Sequence, residues 1–451
     1  MAKTQLILLL VLVGCGSSES APPAQLRMAV FVSDVTPPIG HPNCGGWTKP
    51  VEEIVQPLLL KGVLLDDGKT RCVIAAMDWC VLRGAAYDLF RNKIALAAGV
   101  PATRVAIQTI HTHSAPIADA RAEQLLAATS KPVKHLDLEW LARITDEAGR
   151  AVETAVLHLQ PFTHVGVGQA RVEQFASNRR VPGPDGKIKV RFAATKDPFL
   201  KDAPEGKIDP WLKTVTLFDG EVPLVRMHYY ASHPQSYYND GTSHPDTPGL
   251  ARSYLESEEG VAQIYFTGCG GDVTAGKYND GSPAARLALS KQLYSGMIRS
   301  IATTRRVAVK EFSWKTVDVT FSGRTEPPFS EAELKKTVED PAADPMKRLI
   351  SSLKLAWLER MRSRPAVDLS RLRIGPADIL HLPGEPFVEY QLHAQGARPD
   401  RFVAVAGYGE GGPGYICTDA ALKEGGYEPT MSQVGPPGEA LLKAAVEALL
   451  Q

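Results

Sequence analysis

The sequence predicts an α/β protein in which helices cover a mixed β-sheet core, folded as a single large domain over residues 27–451. Strand patterns alternate with helix patterns along most of the chain, and crossover helices of this kind cover the faces of a sheet. Two hairpin patterns turn at Asp-Gly pairs, so the sheet is not purely parallel. Hydrophobic residues make up 44% of the chain, which is enough for a large buried core.

In the first half of the chain, apolar runs bounded by proline or glycine predict strands, and apolar residues at helical spacing predict helices. The strand at 28–35 ends at Thr36-Pro37-Pro38 because proline has no N–H to continue a ladder. The predicted elements are a strand at 28–35, hairpin arms at 58–68 and 70–80, a helix at about 84–99, a strand at 103–110, a helix at 138–159 and a hairpin at 213–233.

The second half continues the alternation and ends on a predicted helix over 438–451. The segment 171–212 is rich in proline, glycine and charge, and we interpret it as loops over a site rather than as a domain. The other predicted elements are a strand at 261–268, a helix at 285–302, a strand at 307–321 and a helical stretch at about 329–363.

Fifty basic residues balance fifty acidic ones, a composition that gives no indication of a nucleic-acid partner. Five widely spaced cysteines follow the N-terminal segment: Cys44, Cys72, Cys80, Cys269 and Cys417. An odd number at such spacings is not a disulfide framework, and the lack of a CxxC pair argues against a thiolate zinc site. We expect small buried residues, with room for one bridge.

The first twenty residues, MAKTQLILLLVLVGCGSSES, differ from the rest of the chain. Their apolar run is too short to span a bilayer as a mature helix and is typical of an export signal. The ending LVGC resembles the lipobox of bacterial lipoproteins, whose cysteine is lipidated. We therefore expect a signal peptide at 1–14, lipidation of Cys15 and a tether at 15–26, giving an exported lipoprotein anchored to a membrane in the periplasm or at the cell surface. An ordinary cleaved signal peptide is the alternative.

Two histidines, His111 and His113, follow the predicted strand at 103–110. Residues i and i+2 of a strand share a face, so both rings point the same way at a strand end, where ligands gather in sheets of this class. Both imidazoles would bind one metal, or one would bind it while the other contacts substrate or metal-bound water. The alternative is a hydrogen-bonded pair at the end of a strand.

Polar residues also follow three further apolar strands, and glycine in one of these turns lets backbone N–H groups approach a ligand or an oxyanion. They are His233 after 222–232, Asp272 and Thr274 after 261–268, and Glu385 after the run ILHLP. Two histidines and one glutamate form a common catalytic zinc set that leaves a position open for water. The strand ends therefore predict a metal site.

Eight segments, taken in order, resemble the catalytic region of the neutral/alkaline (non-lysosomal) ceramidase family. They are SDVTPPIG, HTHSAP, NRRV, IDPWLKTVTLFD, HYYASHP, GGDVT, LPGEP and GPGYICTDAALKEGGYEP. Together they cover nearly the whole predicted mature chain. Full-length members of that family continue into an immunoglobulin-like domain, which we do not expect here.

The resemblance implies a single zinc ion held by two histidines, a glutamate and a tyrosine. Matched motif by motif, these ligands are His111 of HTHSAP, His233 of ASHP, Glu385 of PGE and Tyr415 of GYICT. The resemblance also implies that His113 contacts the substrate or the zinc-bound water, and that Tyr427 of GGYEP binds the substrate carbonyl or its oxyanion. Without the resemblance, rings packed in loops would be the simpler interpretation of both tyrosines.

The implied activity is zinc-dependent hydrolysis of an N-acyl amide bond by a metal-activated water, because zinc lowers the pKa of bound water toward ~7 and polarises a carbonyl. His113 is a candidate proton carrier to the leaving amine. The implied substrate is an N-acylated small molecule or a sphingolipid. Arg179 of NRRV and Asp272 are predicted substrate-binding residues, since a guanidinium suits a polar head group, although Arg179 and Arg180 are equally compatible with a solvated pair in a loop.

The glycine turn departs from the family, whose motif GDVSP reads GDVTA here. Thr274 keeps the hydroxyl, and its added methyl group narrows the site. Two alternatives to zinc chemistry stay open. One is a hydrolase that uses Thr274 as its nucleophile, and the other is a non-catalytic surface lipoprotein that binds lipid or glycan through an inactive scaffold.

Overall fold

A computed structural model describes residues 25–364 and 366–451 of the chain. The predicted signal peptide, Cys15 and all but the last two residues of the predicted tether lie outside the described residues. Within the described part, we find no helix whose length and apolar character would let it cross a membrane.

The α/β class and the mixed sheet core predicted from the sequence are confirmed, although the strands divide between two main sheets. In chain order these strands are β1 (Arg27–Asp34), β2 (Leu59–Asp66), β3 (Arg71–Met77), β4 (Val105–Thr109), β5 (Gln160–Pro161), β6 (His164–Arg171), β7 (Trp211–Asp219), β8 (Val222–Tyr230), β9 (Ala262–Thr267), β10 (Arg305–Ala308), β11 (Phe312–Thr320), β12 (Ala366–Ile374), β13 (Ala377–Pro383) and β14 (Phe402–Gly409).

The nine-stranded sheet has the order β11-β12-β13-β14-β4-β3-β2-β1-β5, and the five-stranded sheet has the order β9-β8-β7-β6-β10. Both sheets are mixed, because the parallel pairs β3-β4, β13-β14 and β8-β9 lie beside antiparallel hairpins. Short two-stranded pairs complete the strands: Glu53–Ile54 with Thr242–Ser243, Val81–Leu82 with Ile117–Ala118, Ser177–Asn178 with Val273–Thr274, Arg180–Pro182 with Ile188–Val190, and Glu385–Pro386 with Tyr415–Ile416.

The helices alternate with the strands as predicted. They are α1 (Gly84–Ala98), α2 (Ala120–Ala127), α3 (Leu138–Leu157), α4 (Pro198–Asp202), α5 (Asp246–Glu259), α6 (Pro283–Ala302), α7 (Glu331–Glu339), α8 (Pro345–Ser363), α9 (Val388–Ala397), α10 (Asp419–Glu424), α11 (Tyr427–Met431) and α12 (Gly438–Leu450), with short 3₁₀ turns at Asn43–Gly46 and Ala102–Arg104.

Both predicted hairpins form, and each turns at its Asp-Gly pair. β2 pairs antiparallel with β3, and β7 pairs antiparallel with β8. Gly68 and Gly220 have φ of 82° and 58°, values that glycine adopts without the steric cost of a side chain. The Asp-Gly signal therefore located both turns.

Two predicted elements are each divided in the structure. The helical stretch at 329–363 is α7 and α8, because Pro345 lacks the N–H that a continuous helix needs and disfavours helical backbone at Asp344. The Asp344 side chain instead caps α8 by accepting from the backbone N–H groups of Met346 and Lys347. The strand at 307–321 is β10 and β11, which pair with β6 and β12 in different sheets.

The five-stranded sheet packs on one face of the nine-stranded sheet, and helices cover the outer faces of both. On β3, Ile74 belongs to the core between the sheets, whereas its neighbours Val73 and Ala75 pack in the cluster formed with α1 and α3. Helices α5 and α6 cover the smaller sheet. A further cluster joins β12, β13 and β14 to α9 and α12. Because the two sheets pack face to face, strands from both sheets end in the same region of the molecule.

Candidate active site

A cavity of about 610 Å³ lies where the loops after β4, β13 and β14 come together. β4 and β14 share a single paired position, Gln108 with Gly409, so they meet only near their C-terminal ends. The loops that follow diverge from this point and surround the opening. Six predicted site residues line it: His111, His113, Arg179, Glu385, Tyr415 and Tyr427. The segment 171–212, predicted to form loops over a site, contributes Arg179 and Phe192 to the wall.

His111 follows β4 and is fixed by two backbone carbonyls. Its N–H donates to the Trp79 carbonyl at 2.9 Å, and its Nδ1 lies 2.8 Å from the Cys80 carbonyl. Because a carbonyl only accepts, Nδ1 carries the hydrogen and Nε2 keeps its lone pair for a ligand. The backbone of His111 has φ of 67°, in the left-handed region that side chains rarely adopt. Strain of this kind is typical of functional positions.

His233, after β8, is held in the same way. Its Nδ1 lies 2.6 Å from the Gly270 carbonyl, and its backbone N–H donates to the Val273 carbonyl at 2.9 Å. The ring is 1% exposed and its Nε2 is directed at the other predicted ligands. The glycine-rich turn after β9 therefore supplies the carbonyl that orients this histidine.

Glu385 and Tyr415 lie directly opposite each other in the short parallel pair that follows β13 and β14. The Glu385 Oε2 is 3.4 Å from His111 Nε2 and 3.6 Å from His233 Nε2. The Tyr415 hydroxyl lies 3.3 Å from His233 Nε2. The four residue types named by the family resemblance thus converge, although they are spread over more than 300 positions of the chain.

These donors fit a tetrahedral zinc ion. Zinc bonds to nitrogen and oxygen are about 2.0–2.2 Å long, and a tetrahedron with such bonds has edges of roughly 3.4 Å. Three of the six donor separations, Glu385 to His111, Glu385 to His233 and Tyr415 to His233, fall between 3.3 and 3.6 Å. The Glu385 Oε2 is also buried without a hydrogen-bond partner among the residues that the structure describes, a costly arrangement that a cation would relieve.

Burial sets the protonation of the two histidines. It lowers the pKa of His111 to about 3, and the pKa of His233 also to about 3, with the Arg179 charge adding to the effect at His233. Both rings are therefore neutral at pH 7, which is the form that binds a metal. Burial raises the pKa of Tyr415 well above its usual value, and the positive charge of Arg179 opposes that shift.

His113 lies beside this group, with its two nitrogens facing different partners. Its Nε2 is 3.3 Å from His111 Nε2, and its Nδ1 is 3.5 Å from the Cys44 sulfur. The donor atoms of His111, His113 and His233 all lie within 4.8 Å of one another. Distance alone therefore permits His113 either as a ligand or as the neighbouring residue that the family resemblance implies.

Arg179 is buried, so it is not a solvated residue of a loop. Its Nη1 donates to the Tyr415 hydroxyl at 3.0 Å, and its Nε lies 3.3 Å from a Glu428 carboxylate oxygen. Its guanidinium also lies 5.1 Å from the centre of the Tyr427 ring. Burial raises the pKa of Tyr427 to about 12, so that hydroxyl stays protonated and can donate a hydrogen bond at neutral pH. Arg180 pairs with Glu424 and with the other carboxylate oxygen of Glu428.

Asp272 and Thr274 are not among the residues that line the cavity. The Asp272 carboxylate accepts from the Asn178 side chain at 2.7 Å and from the Val388 backbone at 2.9 Å, so it ties the glycine turn to the start of α9. A Cβ at Gly271 would lie 2.5 Å from the Glu385 carbonyl oxygen, which explains the glycine beside Asp272. Thr274 is 1% exposed, and its hydroxyl has no hydrogen-bond partner within residues 25–364 and 366–451.

Two residues near the site, Tyr408 and Glu428, were not predicted from the sequence. Tyr408 stacks on the His111 ring at 4.4 Å, and its hydroxyl lies 3.1 Å from His233 Nδ1. Its position at the end of an apolar strand before a glycine-rich turn is the signal that would have identified it. Glu428 is buried and pairs with Arg179, and nothing in its local sequence indicates that burial.

The fold is similar to solved ceramidase structures. A crystal structure of neutral ceramidase from Pseudomonas aeruginosa superposes with a TM-score of 0.70 at 16% sequence identity, covering 95% of this chain and 75% of that one. A structure of ceramidase complexed with C2 gives a TM-score of 0.69 with the same identity and coverage. Searches against protein-family models and against curated proteins give no match. The chain has the fold of the neutral ceramidases, as the sequence resemblance predicts.

Proposed function

We propose that this protein is a zinc-dependent hydrolase that cleaves the amide bond of an N-acylated small molecule or sphingolipid, in the manner of a ceramidase. The observation that carries the proposal is the convergence of His111, His233, Glu385 and Tyr415 at tetrahedral spacing beside a cavity. The likeness of fold to proteins that are themselves ceramidases supports the choice of reaction.

A zinc ion held by these four residues would supply a Lewis acid for the amide carbonyl and an activated water as nucleophile. The chain's own groups supply the remaining steps. Tyr427 donates its hydroxyl hydrogen to the oxygen on which negative charge develops. Burial, with the positive charge of Arg179 adding to it, lowers the pKa of His113 well below the usual value, so the ring is neutral at pH 7. It takes up a proton and passes it to the leaving amine.

Arg179 positions the tyrosines in this scheme. Its hydrogen bond to Tyr415 and its place over the Tyr427 ring tie the predicted ligand to the predicted oxyanion donor. Glu428 holds the guanidinium in place, so its charge is partly compensated where water is excluded. Arg179 also lines the cavity and presents positive charge to a substrate.

The cavity lining suits an amphipathic substrate. Apolar side chains provide a surface for a hydrocarbon chain, and a few polar ones provide hydrogen bonds to a head group. The apolar members include Trp47, Val81, Ile117, Phe192 and Met431, and the polar ones include Gln235, Ser236, Asn279 and Arg286. This mixture supports an N-acyl lipid or another acylated amine more than a fully polar amide.

Metal analysis combined with a mass-spectrometric hydrolysis screen tests the proposal. Purified protein, with and without prior chelation, is incubated with N-acyl lipids and acylated amino compounds. We expect bound zinc and release of a free fatty acid and a free amine from at least one substrate. Full activity in protein free of metal would contradict the zinc mechanism, and metal binding without turnover of any substrate would favour the non-catalytic alternative.

Thr274→Val separates zinc chemistry from a hydroxyl nucleophile. Valine keeps the shape of threonine, and in the described part of the chain the Thr274 hydroxyl has no hydrogen-bond partner to lose. A nucleophilic hydroxyl needs an adjacent base, which the hydrogen bonds of this residue do not provide. We expect the variant to keep its hydrolysis rate within about threefold, which is a loss of under about 1 kcal/mol. Loss of activity together with a covalent acyl intermediate in the wild type would favour the Thr274 mechanism.

We further propose that the chain is exported and anchored to a membrane through a lipid on Cys15, for which the LVGC ending is the supporting observation. Cys15→Ala is expected to move the protein from the membrane fraction to the soluble exported fraction and to abolish labelling by a fatty-acid analogue. Cys72→Ala is the control and should keep both properties. Equal membrane association of the wild type and Cys15→Ala would contradict the anchor.

A further inference from the structure

A second group of metal-type donors lies at the edge of the same cavity. Cys44 and Cys80 are 2% and 1% exposed, and both line the cavity together with His113. The Cys44 Sγ lies 3.8 Å from the Cys80 Sγ and 3.5 Å from His113 Nδ1. The three donor atoms all lie within 4.8 Å of one another. Neither thiol has a role in the hydrolysis proposed above.

The backbone holds both thiols against the segment that carries the histidine pair. The Cys44 N–H donates to the Ala115 carbonyl at 2.8 Å, and the Cys80 N–H donates to the Pro116 carbonyl at 3.1 Å. Cys44 sits in a 3₁₀ turn with φ of 46°, a left-handed conformation that a non-glycine residue adopts at some cost. The two sulfurs and His113 are therefore parts of one hydrogen-bonded unit, although Cys44 and Cys80 are 36 positions apart.

Two of the three donor separations match a metal with mixed ligands, and the third is within 4.8 Å. Zinc–sulfur bonds are about 2.3 Å and zinc–nitrogen bonds about 2.0–2.1 Å, so a tetrahedron has a sulfur–sulfur edge of roughly 3.8 Å and a sulfur–nitrogen edge of roughly 3.5 Å. Cys44 shows both values, to Cys80 and to His113 respectively. We propose that Cys44, Cys80 and His113 form a second metal site for a thiophilic divalent cation, Zn²⁺ or Cd²⁺, with its fourth position open to the cavity.

Charge and ligand type favour such a cation. Two thiolates balance the charge of a divalent ion, and soft sulfur ligands select zinc or cadmium over magnesium or calcium. The lack of a CxxC pair argues against a thiolate site at the level of sequence, but the fold brings together two cysteines from distant turns. With three protein donors against four, this site fills after the site of His111, His233, Glu385 and Tyr415.

The shared histidine links the two sites. His113 presents Nε2 toward His111 and Nδ1 toward Cys44, so a cation at the second site occupies the nitrogen that faces away from the first. The His113 ring is then fixed and cannot take up and release a proton. Excess zinc therefore inhibits hydrolysis through this site. The inhibition rests on the proposed function, whereas the metal site itself does not.

Titration of the reduced, purified protein with Cd²⁺ tests the site directly. Cadmium bound to thiolate gives a charge-transfer absorption in the ultraviolet, and the bound metal is counted in the same samples. We expect the wild type to show the absorption and to bind one more cadmium ion per chain than Cys44→Ala, which should lack most of the absorption. Cys72→Ala, a buried cysteine of the core between the sheets, should behave as the wild type.

Two further variants keep the outcome interpretable. His233→Ala should lose the other metal but keep the thiolate absorption, so failure of the proposed function and failure of this site are distinguishable. Thermal unfolding shows whether Cys44→Ala is folded. If it is not, Cys80→Ser provides the same test. Full thiolate absorption in both cysteine variants, no such absorption in the wild type, or native protein isolated with a Cys44–Cys80 disulfide would each overturn the proposal.

Discussion

Replacing His233 with alanine is expected to remove both the bound zinc and the hydrolytic activity. The ring supplies the nitrogen that lies 3.6 Å from the Glu385 carboxylate and 3.3 Å from the Tyr415 hydroxyl. Its loss therefore removes one of the four predicted zinc ligands. A metal contributes several kcal/mol of transition-state stabilisation, and about 4 kcal/mol corresponds to roughly a 10³-fold loss of rate. Zinc content per chain and initial hydrolysis rates, measured on the same preparation, check both effects.

The matched control is His228→Gln, on strand β8, which His233 follows. His228 is buried like His233, but its nitrogens bond to Thr214 at 2.9 Å and to Gln263 at 2.8 Å, away from the site. Glutamine keeps a side chain that can bond to both partners, so zinc content and rate should stay near those of the wild type. A His233→Ala protein that folds and still retains its zinc would show that the ligand assignment is wrong.

Replacing His113 with alanine is expected to leave the first zinc in place while lowering kcat by about 10²- to 10⁴-fold, the contribution of a positioned acid–base group. His113 Nε2 lies 3.3 Å from His111 Nε2, so the two histidines are neighbours with different expected outcomes. The measurement is zinc content at one added equivalent, together with kcat and KM for the best substrate.

His111→Ala is the contrasting variant, because it should lose the zinc as well as the rate. These two results would distinguish His111, as a zinc ligand, from His113, as a neighbouring proton carrier. If His113→Ala loses its zinc and His111→Ala keeps it, the roles of the two histidines are exchanged. If both variants lose zinc, His113 is a ligand, and a site with three histidines replaces the one proposed here.

The elements that the sequence predicted well are those with strong local signals. The Asp-Gly turns and the amphipathic helix α3 follow from residues close together in the chain. The division of 307–321 between two sheets was not predicted, although the apolar alternation changes phase at Lys310-Glu311, from Val307 and Val309 to Phe312 and Trp314. Which sheet a strand joins depends on partners distant in sequence, and periodicity carries no information about them.

The residues of the candidate site likewise divide into those with a local sequence signal and those without one. His111, His233 and Glu385 were identified as strand-end residues, since a polar side chain after an apolar strand is a local pattern. Tyr415 came only from the family resemblance, because a tyrosine in a loop is usually a packed ring. The second donor group was not predicted, since the bonds that bring Cys44 and Cys80 onto the histidine segment are visible only in three dimensions.

The most direct test of the account is a zinc titration of chelator-treated enzyme, with hydrolysis of an N-acyl lipid followed at each step. Activity should be absent in the stripped protein, rise linearly with added zinc, and reach its maximum at about one equivalent per chain, because one set of donors at tetrahedral spacing serves the reaction. Stripped protein that hydrolyses the same substrate at the full rate, with no response to zinc, would contradict the central claim.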